Sequence, residues 1–384
     1  MPIELSPKVA SFSVRRYLGK IEGSLGYWGA GFLIGICVLV VASIYVTPAI
    51  NCVNHGCTYA ELSISPFAFA SNNVMKSRLL TAALAYLVLL RGRLYILFPL
   101  LVSVLFLASI YWYYRRRMKV ESVSALLIVL VIAFSSPVLF LLHFQGYTDV
   151  TSYLCIFLAI QLMDTRFALF WPALFGLALL NHESNAFIAP FLFLLSWSRR
   201  GWRFPLLDSV TLGICLLGVL GLSRHIHSQG NAGFNLSFYL SSGHVNYVLG
   251  HTLRMLPIGI FMAFKLFWCL PLMASAILLR RKDYKSCALI LLPIPCAMGQ
   301  LLIADDTSRL LGLGFPSILL ACSVLYHEWG EGVFSKRLSA LFLWNLLVPQ
   351  YYVGQEVAVP MLPLPISLFS WLLFGTNPWT LWWT

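Results

Sequence analysis

Charge is what this sequence has least of. Asp, Glu, Lys and Arg together make 10% of the 384 residues, and only 14 residues are acidic. Hydrophobic residues supply 59% and the mean hydropathy is +0.82, outside the range of soluble globular domains, which implies a polytopic membrane protein. Long polar stretches are missing as well. The polar intervals near 50–77 and 224–252 run under about thirty residues, too short to bury a core of their own, so one membrane-embedded domain over 1–384 is expected. No short apolar core followed by a small-residue cleavage site opens the chain; instead Lys8, Arg15, Arg16 and Lys20 precede the first apolar run. That order predicts an uncleaved first span and a cytoplasmic N-terminus.

Several motifs are absent too. There is no Gly-rich phosphate loop with its Lys, which argues against an ATP-driven pump, and no HExxH, since His182-Glu183 is followed by Ser-Asn-Ala. No repeat relates the two halves, which weakens an inverted-repeat transporter reading. The net charge of +12 comes from small basic clusters between apolar runs, without an aromatic-interleaved basic domain, so nucleic acid is not an expected partner.

What the chain has is apolar runs. A helix needs roughly 20 apolar residues to cross about 30 Å of hydrocarbon. The runs 27–49, 94–113, 121–142, 150–163, 167–180, 185–198, 206–223, 253–279, 286–304, 308–326, 338–353 and 361–375 predict an all-α transmembrane bundle of about twelve spans. The apolar segment 78–90 decides the parity. If it does not cross, the clusters Arg115/Arg116/Arg117/Lys119, Arg199/Arg200/Arg203, Arg280/Arg281/Lys282/Lys285 and Lys336/Arg337 fall on the same side as the N-terminus; if it crosses, they fall opposite, against the positive-inside rule. The segment 78–90 is therefore expected as a juxtamembrane helix on the outer face, with both termini cytoplasmic.

This topology sends polar chemistry outward. Seven of the eight histidines lie on or near the outer side, as do Glu61, Asp149, Glu183, Asp305, Asp306 and Glu356. Three stretches stand out. "HFQGYTD" (143–149) is a Gly-containing turn in which Thr148 or Asp149 caps the next helix, and Asp149 beside His143 is equally a candidate for binding a metal, a sugar hydroxyl or an acceptor proton. "NHES" (181–184) interrupts an apolar run; Asn181 and Ser184 suit a helix-connecting turn, while His182 and Glu183 exceed what a turn requires. "ADDTSRLL" (304–311) offers Asp305 and Asp306 as caps and places Arg309 one turn into an apolar helix, where a guanidinium must be paired or can hold a phosphate. The His225-x-His227 pair is a weak metal signal on a loop, and Lys265 lies mid-span, where it is functional or paired internally. Most of the nine cysteines sit inside apolar runs as small hydrophobes. Cys52 and Cys57 in "CVNHGC" occupy a polar loop, where a disulfide, free thiols or a zinc site with His55 are all open.

The order of these features over about 27–198 resembles the N-terminal half of GT-C-fold glycosyltransferases, the membrane enzymes typified by dolichyl-phosphate-mannose protein mannosyltransferases and aminoarabinose lipid A transferases. The resemblance is carried by "RLYILFPLLVSVLFLASIYWYYRRR", "ALLIVLVIAFSSPVLFLLHFQGYTDVTSYLCIFLAI" and "WPALFGLALLNHESNAFIAPFLFLL". Pro137 takes the place of the break in the family's third span, Asp149 that of its outer-loop Asp, and the tetrad before Pro190 that of its polar helix break. Glu61 is the only acid in the first outer loop, where the family keeps a carboxylate. Residues 206–375 would then be variable C-terminal spans. The resemblance implies transfer of a sugar from a polyprenyl-phosphate-type lipid donor to an acceptor at the extracytoplasmic face, with membrane lipid as surroundings. Asp149, Glu61, His182 and Glu183 are the expected catalytic residues, and Arg78, Arg254, Arg309, His143, Asp305 and Asp306 the expected substrate and phosphate contacts. No motif implies a cofactor; a divalent metal is compatible, with ligands unassigned. The other reading is a multispan transporter or flippase, with Asp149, Glu183, Lys265, Asp305 and Asp306 along a path through the bundle.

Overall fold

A computed structural model describes residues 7–49, 51–69, 73–201, 205–229, 241–302, 304, 306–354 and 357–375. The chain is helical almost throughout. In order the helices are α1 (Pro7–Tyr45), α2 (His55–Leu62), α3 (Leu79–Leu87), α4 (Leu97–Trp112), α5 (Ser122–Ala133), α6 (Ser136–His143), α7 (Asp149–Leu162), α8 (Trp171–Asn181), α9 (Ala189–Arg200), α10 (Pro205–Ser228), α11 (Ser242–Phe264), α12 (Cys269–Arg280), α13 (Tyr284–Leu291), α14 (Pro293–Gly299), α15 (Thr307–Leu310) and α16 (Phe315–Leu347), followed by strands β1 (Tyr351–Gly354) and β2 (Val357–Pro360) and helix α17 (Leu364–Phe374).

Among the described residues, six helices are long and apolar enough to cross a membrane, or seven if the bent pair α5 and α6 counts as one. This makes a multi-pass membrane protein, but about twelve full-length spans are not found. The reason is length: charge alternation counts crossings, whereas α7 has only 14 residues and α9 only 12, about 21 and 18 Å of helix at 1.5 Å per residue. The segment expected as a juxtamembrane helix is α3, whose nine residues span about 14 Å and cannot cross. The run at 338–353 is helical only to Leu347; its end turns into an antiparallel hairpin pairing Tyr351 with Pro360 and Gly354 with Val357.

Breaks in the helices follow local chemistry. Ser135 is extended ahead of Pro137, which has no N–H to continue the α5 ladder, and the two halves meet at 53°. Gly330 inside α16 adopts φ +71°, a left-handed geometry that only glycine takes cheaply. Between α11 and α12, Lys265 sits at φ +48° and is 1% exposed. Its ammonium donates to Tyr45 Oη (3.0 Å), Val348 O (3.1 Å) and Asn345 O (3.3 Å). The mid-span lysine is thus paired internally and closes the end of α16.

The bundle has two polar ends and a dry middle. At one end, Glu22 bridges Arg115 and Tyr111, Arg199 pairs with Asp164 at 2.7 Å, Arg200 pairs with Asp208 at 2.7 Å, and Arg281 pairs with Glu328. In the middle, Phe106, Tyr153, Phe157 and Phe315 are all buried, with Phe106 in edge-on contact with Phe157 and Phe315 at 6.1 and 5.3 Å between centroids. α1 packs closely on α4 because Gly31 admits the Ala108 carbonyl, which would lie 2.9 Å from a Cβ there. The other end gathers several of the residues singled out by the sequence.

Candidate functional site

The first anchor is a disulfide. Cys52 and Cys57 are bonded, with Cα atoms 4.9 Å apart, which settles the pairing that spacing left open. The small loop opens α2 and sets the His55 ring against Tyr147 at 6.3 Å. Next to it, Gly56 and Gly146 meet backbone to backbone. A Cβ on Gly56 would overlap the Gln145 carbonyl oxygen, and one on Gly146, already at φ +96°, would lie 2.8 Å from the Gly56 Cα. Only glycine permits this approach, which fixes the turn leading into Asp149.

The second anchor is the 181–185 turn. Asn181 is fully buried and donates to Thr148 O and Ser152 Oγ, each at 2.8 Å, while accepting from Thr81. Asn185 donates to Ser152 Oγ and His182 O, both at 2.8 Å. Asn185 thereby satisfies a carbonyl at the end of α8, and both asparagines tie this turn to the first turn of α7, which carries Asp149.

With the turn held by Asn181 and Asn185, the two ionisable residues are free to face other partners. Glu183 takes both arms of Arg78, Nε to Oε2 at 2.9 Å and Nη2 to Oε1 at 2.5 Å, the two-point geometry that favours Arg over Lys. Burial by itself would raise the Glu183 carboxyl, but the charge of Arg78 outweighs it and holds the group well below the usual carboxylate range. The Glu183 side chain nevertheless keeps 41% of its surface exposed, so it does not lie in dry interior. His182 is 7% exposed; burial first, then the field of Arg78, push its imidazole well below the ordinary value, so it is neutral. His55 moves the same way, through burial and then Arg309 and Arg78.

The third anchor is Arg309, buried at 6% exposure. Its Nη1 donates to Asp306 Oδ2 at 2.8 Å, its Nε stands 3.7 Å from Asp149 Oδ1, and its guanidinium lies over the rings of Tyr147 (5.1 Å) and Phe140 (5.5 Å). Asp306 also accepts from Tyr352 Oη. The hairpin delivers that phenol: Val353 N donates to Ser308 Oγ at 2.9 Å, fastening β1 to α15. Burial, then the neighbouring Asp306 charge, raises the Tyr352 phenol well above its ordinary value, so it remains a donor.

Six of the expected residues therefore meet at one end of the bundle: Arg78, Asp149, His182, Glu183, Asp306 and Arg309. The others do not join them. Glu61 is exposed on α2 and makes no ion pair among the described residues. His143 turns its Nδ1 to the Thr47 carbonyl at 3.3 Å, and Arg254 is exposed on α11. Asp305 lies outside the described residues, as does the His227 side chain, while His225 packs its ring on Phe69 at 6.5 Å. Tyr147, Tyr352 and Tyr59, whose phenol hydrogen-bonds with Arg78 and Thr148, belong to the site without having been expected, and His55 had been expected only beside its cysteines. Nothing in their spacing marks them: Tyr59, Tyr147 and His55 lie in outer polar segments, while Tyr352 lies in a run expected to be a span.

Chemically the site holds three carboxylates of unequal freedom. Glu183 is committed to Arg78, and Asp306 to Arg309 and Tyr352. Asp149 has only the guanidinium 3.7 Å away and accepts no hydrogen bond among the described residues. Its side chain is 14% exposed, enough to meet a proton donor. No group of three or more His, Cys, Asp or Glu among the described residues is placed to hold a metal ion. No family model matches the chain, and neither a curated protein nor a solved structure does.

Proposed function

We propose that the chain is a membrane glycosyltransferase of GT-C type that moves a sugar from a polyprenyl-phosphate donor to a hydroxyl acceptor, with Asp149 as general base. The observation that carries this reading is the Asp149 carboxylate, which accepts no hydrogen bond among the described residues and stands 3.7 Å from the buried Arg309, at one end of the bundle. In the reaction the acceptor oxygen bonds to the anomeric carbon, its proton passes to Asp149, and the sugar–phosphate bond breaks to release the lipid phosphate. Arg309 neutralises the charge that develops on the departing phosphate. Arg78 contributes less directly, because its two-point contact with Glu183 occupies it. A phosphate leaving group carries its own activation, so a nucleotide-binding loop is not needed.

Two features support the lipid and sidedness parts of the proposal. An apolar groove of about 500 Å³, lined by Val41, Ile44, Leu130, Phe134, Phe342 and Leu346 among others, suits a hydrocarbon tail. The Cys52–Cys57 disulfide belongs in an oxidising compartment, while the arginine-rich opposite end suits the cytoplasm. Both termini are then cytoplasmic and the site faces outward. The twelve-pass reading fits the same picture: ion pairs and site residues alternate along the chain between the two ends, with α7, α8 and α9 as short upright passes and α16 crossing twice around Gly330. A transporter would need a polar path between the ends, and the layer formed by Phe106, Tyr153, Phe157 and Phe315 weighs against one.

Purified protein in proteoliposomes, supplied with polyprenyl-phosphate-linked sugars and a hydroxyl acceptor, is expected to yield glycosylated acceptor and free lipid phosphate. Solute accumulation without product would instead favour transport.

A further inference from the structure

His182 takes no part in that proton transfer, yet its surroundings fix more about it than burial. The chain of contacts starts at Gln300, which is 3% exposed. Its Nε2 donates to Leu310 O at 3.1 Å, and since a carbonyl can only accept, the other amide atom facing Ser184 must be the oxygen. Ser184 Oγ therefore donates to Gln300 Oε1 at 2.7 Å. A hydroxyl has one proton, so at its 2.8 Å contact with His182 Nδ1 the serine oxygen accepts and Nδ1 carries the hydrogen. The backbone N–H of Ser184 also approaches Nδ1, at 3.3 Å; this longer contact would require the opposite tautomer and loses to the shorter one. His182 Nε2 then bears a lone pair. It is buried and has no hydrogen-bond partner among the described residues, a costly state for a polar atom unless a ligand completes it.

The ionisable groups whose fields reach the ring come from each neighbouring element: Arg78 ahead of α3, Glu183 in its own turn, Arg309 on α15 and His55 on α2. A cationic donor would be repelled by the two guanidinium groups, and a deprotonated carboxylate or phosphate oxygen has no hydrogen to give. A neutral hydroxyl fits.

We infer that His182 is held as its Nδ1–H tautomer by a relay through Ser184 and Gln300 to the Leu310 carbonyl, so that Nε2 accepts a hydrogen bond from a hydroxyl of the substrate. Ser184 and Gln300 are positioning residues. The inference rests on the proposed sugar chemistry for the nature of the ligand, but not for the tautomer.

The two parts separate in one experiment. Full-length protein labelled with 15N-histidine is placed in lipid nanodiscs, and the His182 ring is assigned by its loss in His182→Asn. At neutral pH the expected spectrum shows a protonated Nδ1 and an unprotonated Nε2. Ser184→Ala and Gln300→Ala are expected to shift the ring toward the Nε2–H form, while Ser184→Thr, which keeps the hydroxyl, retains the original form. A proton on Nε2 in the unmodified protein, or a tautomer unmoved by both alanine variants, overturns the relay. Octyl β-D-glucoside added to saturation is the ligand probe: a shift confined to Nε2 supports the hydroxyl contact, and an unchanged Nε2 overturns it while leaving the relay standing. Neither result depends on whether the protein transfers sugar.

Discussion

Arg78 and Glu183, 105 positions apart, join through two hydrogen bonds of 2.9 and 2.5 Å and fasten the segment before α3 to the turn between α8 and α9. The arginine is buried while its partner keeps 41% of its side chain exposed. Glu183→Gln leaves the buried guanidinium without its counter-charge. Because water screens the exposed partner, the loss should fall between the values for surface and fully buried pairs, about 1–3 kcal/mol. Arg78→Gln should cost a similar amount, and the double variant less than the two singles combined. Thermal unfolding of the four proteins in one detergent checks this, and additive losses would mean the pair does not act as a unit.

The contact between Gly56 and Gly146 leaves no room for a side chain. Gly56→Ala should force the 145–149 turn away from α2, costing about 1–3 kcal/mol as overpacking does, and carry Asp149 out of register. Gly146→Ala adds the strain of a left-handed backbone to the clash. Enlarging open glycines such as Gly213, where a Cβ would have nothing within 4 Å, should change stability little. Unfolding temperatures of these variants test the relation, and equal tolerance at all sites would contradict it.

Stability should fall on the acid side of neutrality. Glu183 is held below its ordinary range by Arg78 despite the opposing effect of burial; such a depressed carboxyl stabilises above its unfolded pKa and loses that contribution as pH falls toward its folded value. His55 and His182 are depressed by burial first, so the unfolded chain takes up protons below about 6.5 while the folded one resists. The histidine contribution should therefore weaken first, below about pH 6.5, and the Glu183 contribution at lower pH. His182→Asn should flatten the upper part of the profile, which unfolding curves between neutral and acidic pH would reveal.

Lys265 separates structure from function. Its ammonium binds Tyr45 Oη and two carbonyls at the end of α16, far in role from the carboxylate cluster. Lys265→Met should cost about 1–3 kcal/mol by stranding a buried acceptor yet leave the activity of the folded fraction unchanged. A transporter that used Lys265 in its path would lose function outright, so activity per folded molecule distinguishes the two.

Much of the helical framework was legible because apolar runs and basic clusters report directly on burial and sidedness. Pro137 announces the break between α5 and α6, and the short run 78–90 announces a helix that cannot cross. The site was legible where an ionisable residue interrupts an apolar run, as at Asp149, His182, Glu183 and Arg309. It was hidden where the partner is a tyrosine, since Tyr147 and Tyr352 are as ordinary in a membrane segment as in a site. The hairpin was hidden because "YYVG" reads equally as the end of a helix; only its seat on Ser308 shows why it is extended. Glu61 shows the limit of such reasoning: its loop position matched an expectation, but its side chain is exposed on α2, apart from the cluster.

The most direct measurement is kcat/KM for sugar transfer from a polyprenyl-phosphate donor by unmodified protein, Asp149→Asn and Asp149→Glu, with folding matched by unfolding temperature. Removing the proposed base should lower kcat by about 10²–10⁴-fold, mostly without change in KM, and Asp149→Glu should restore part of it. Transfer by Asp149→Asn at the unmodified rate would contradict the account.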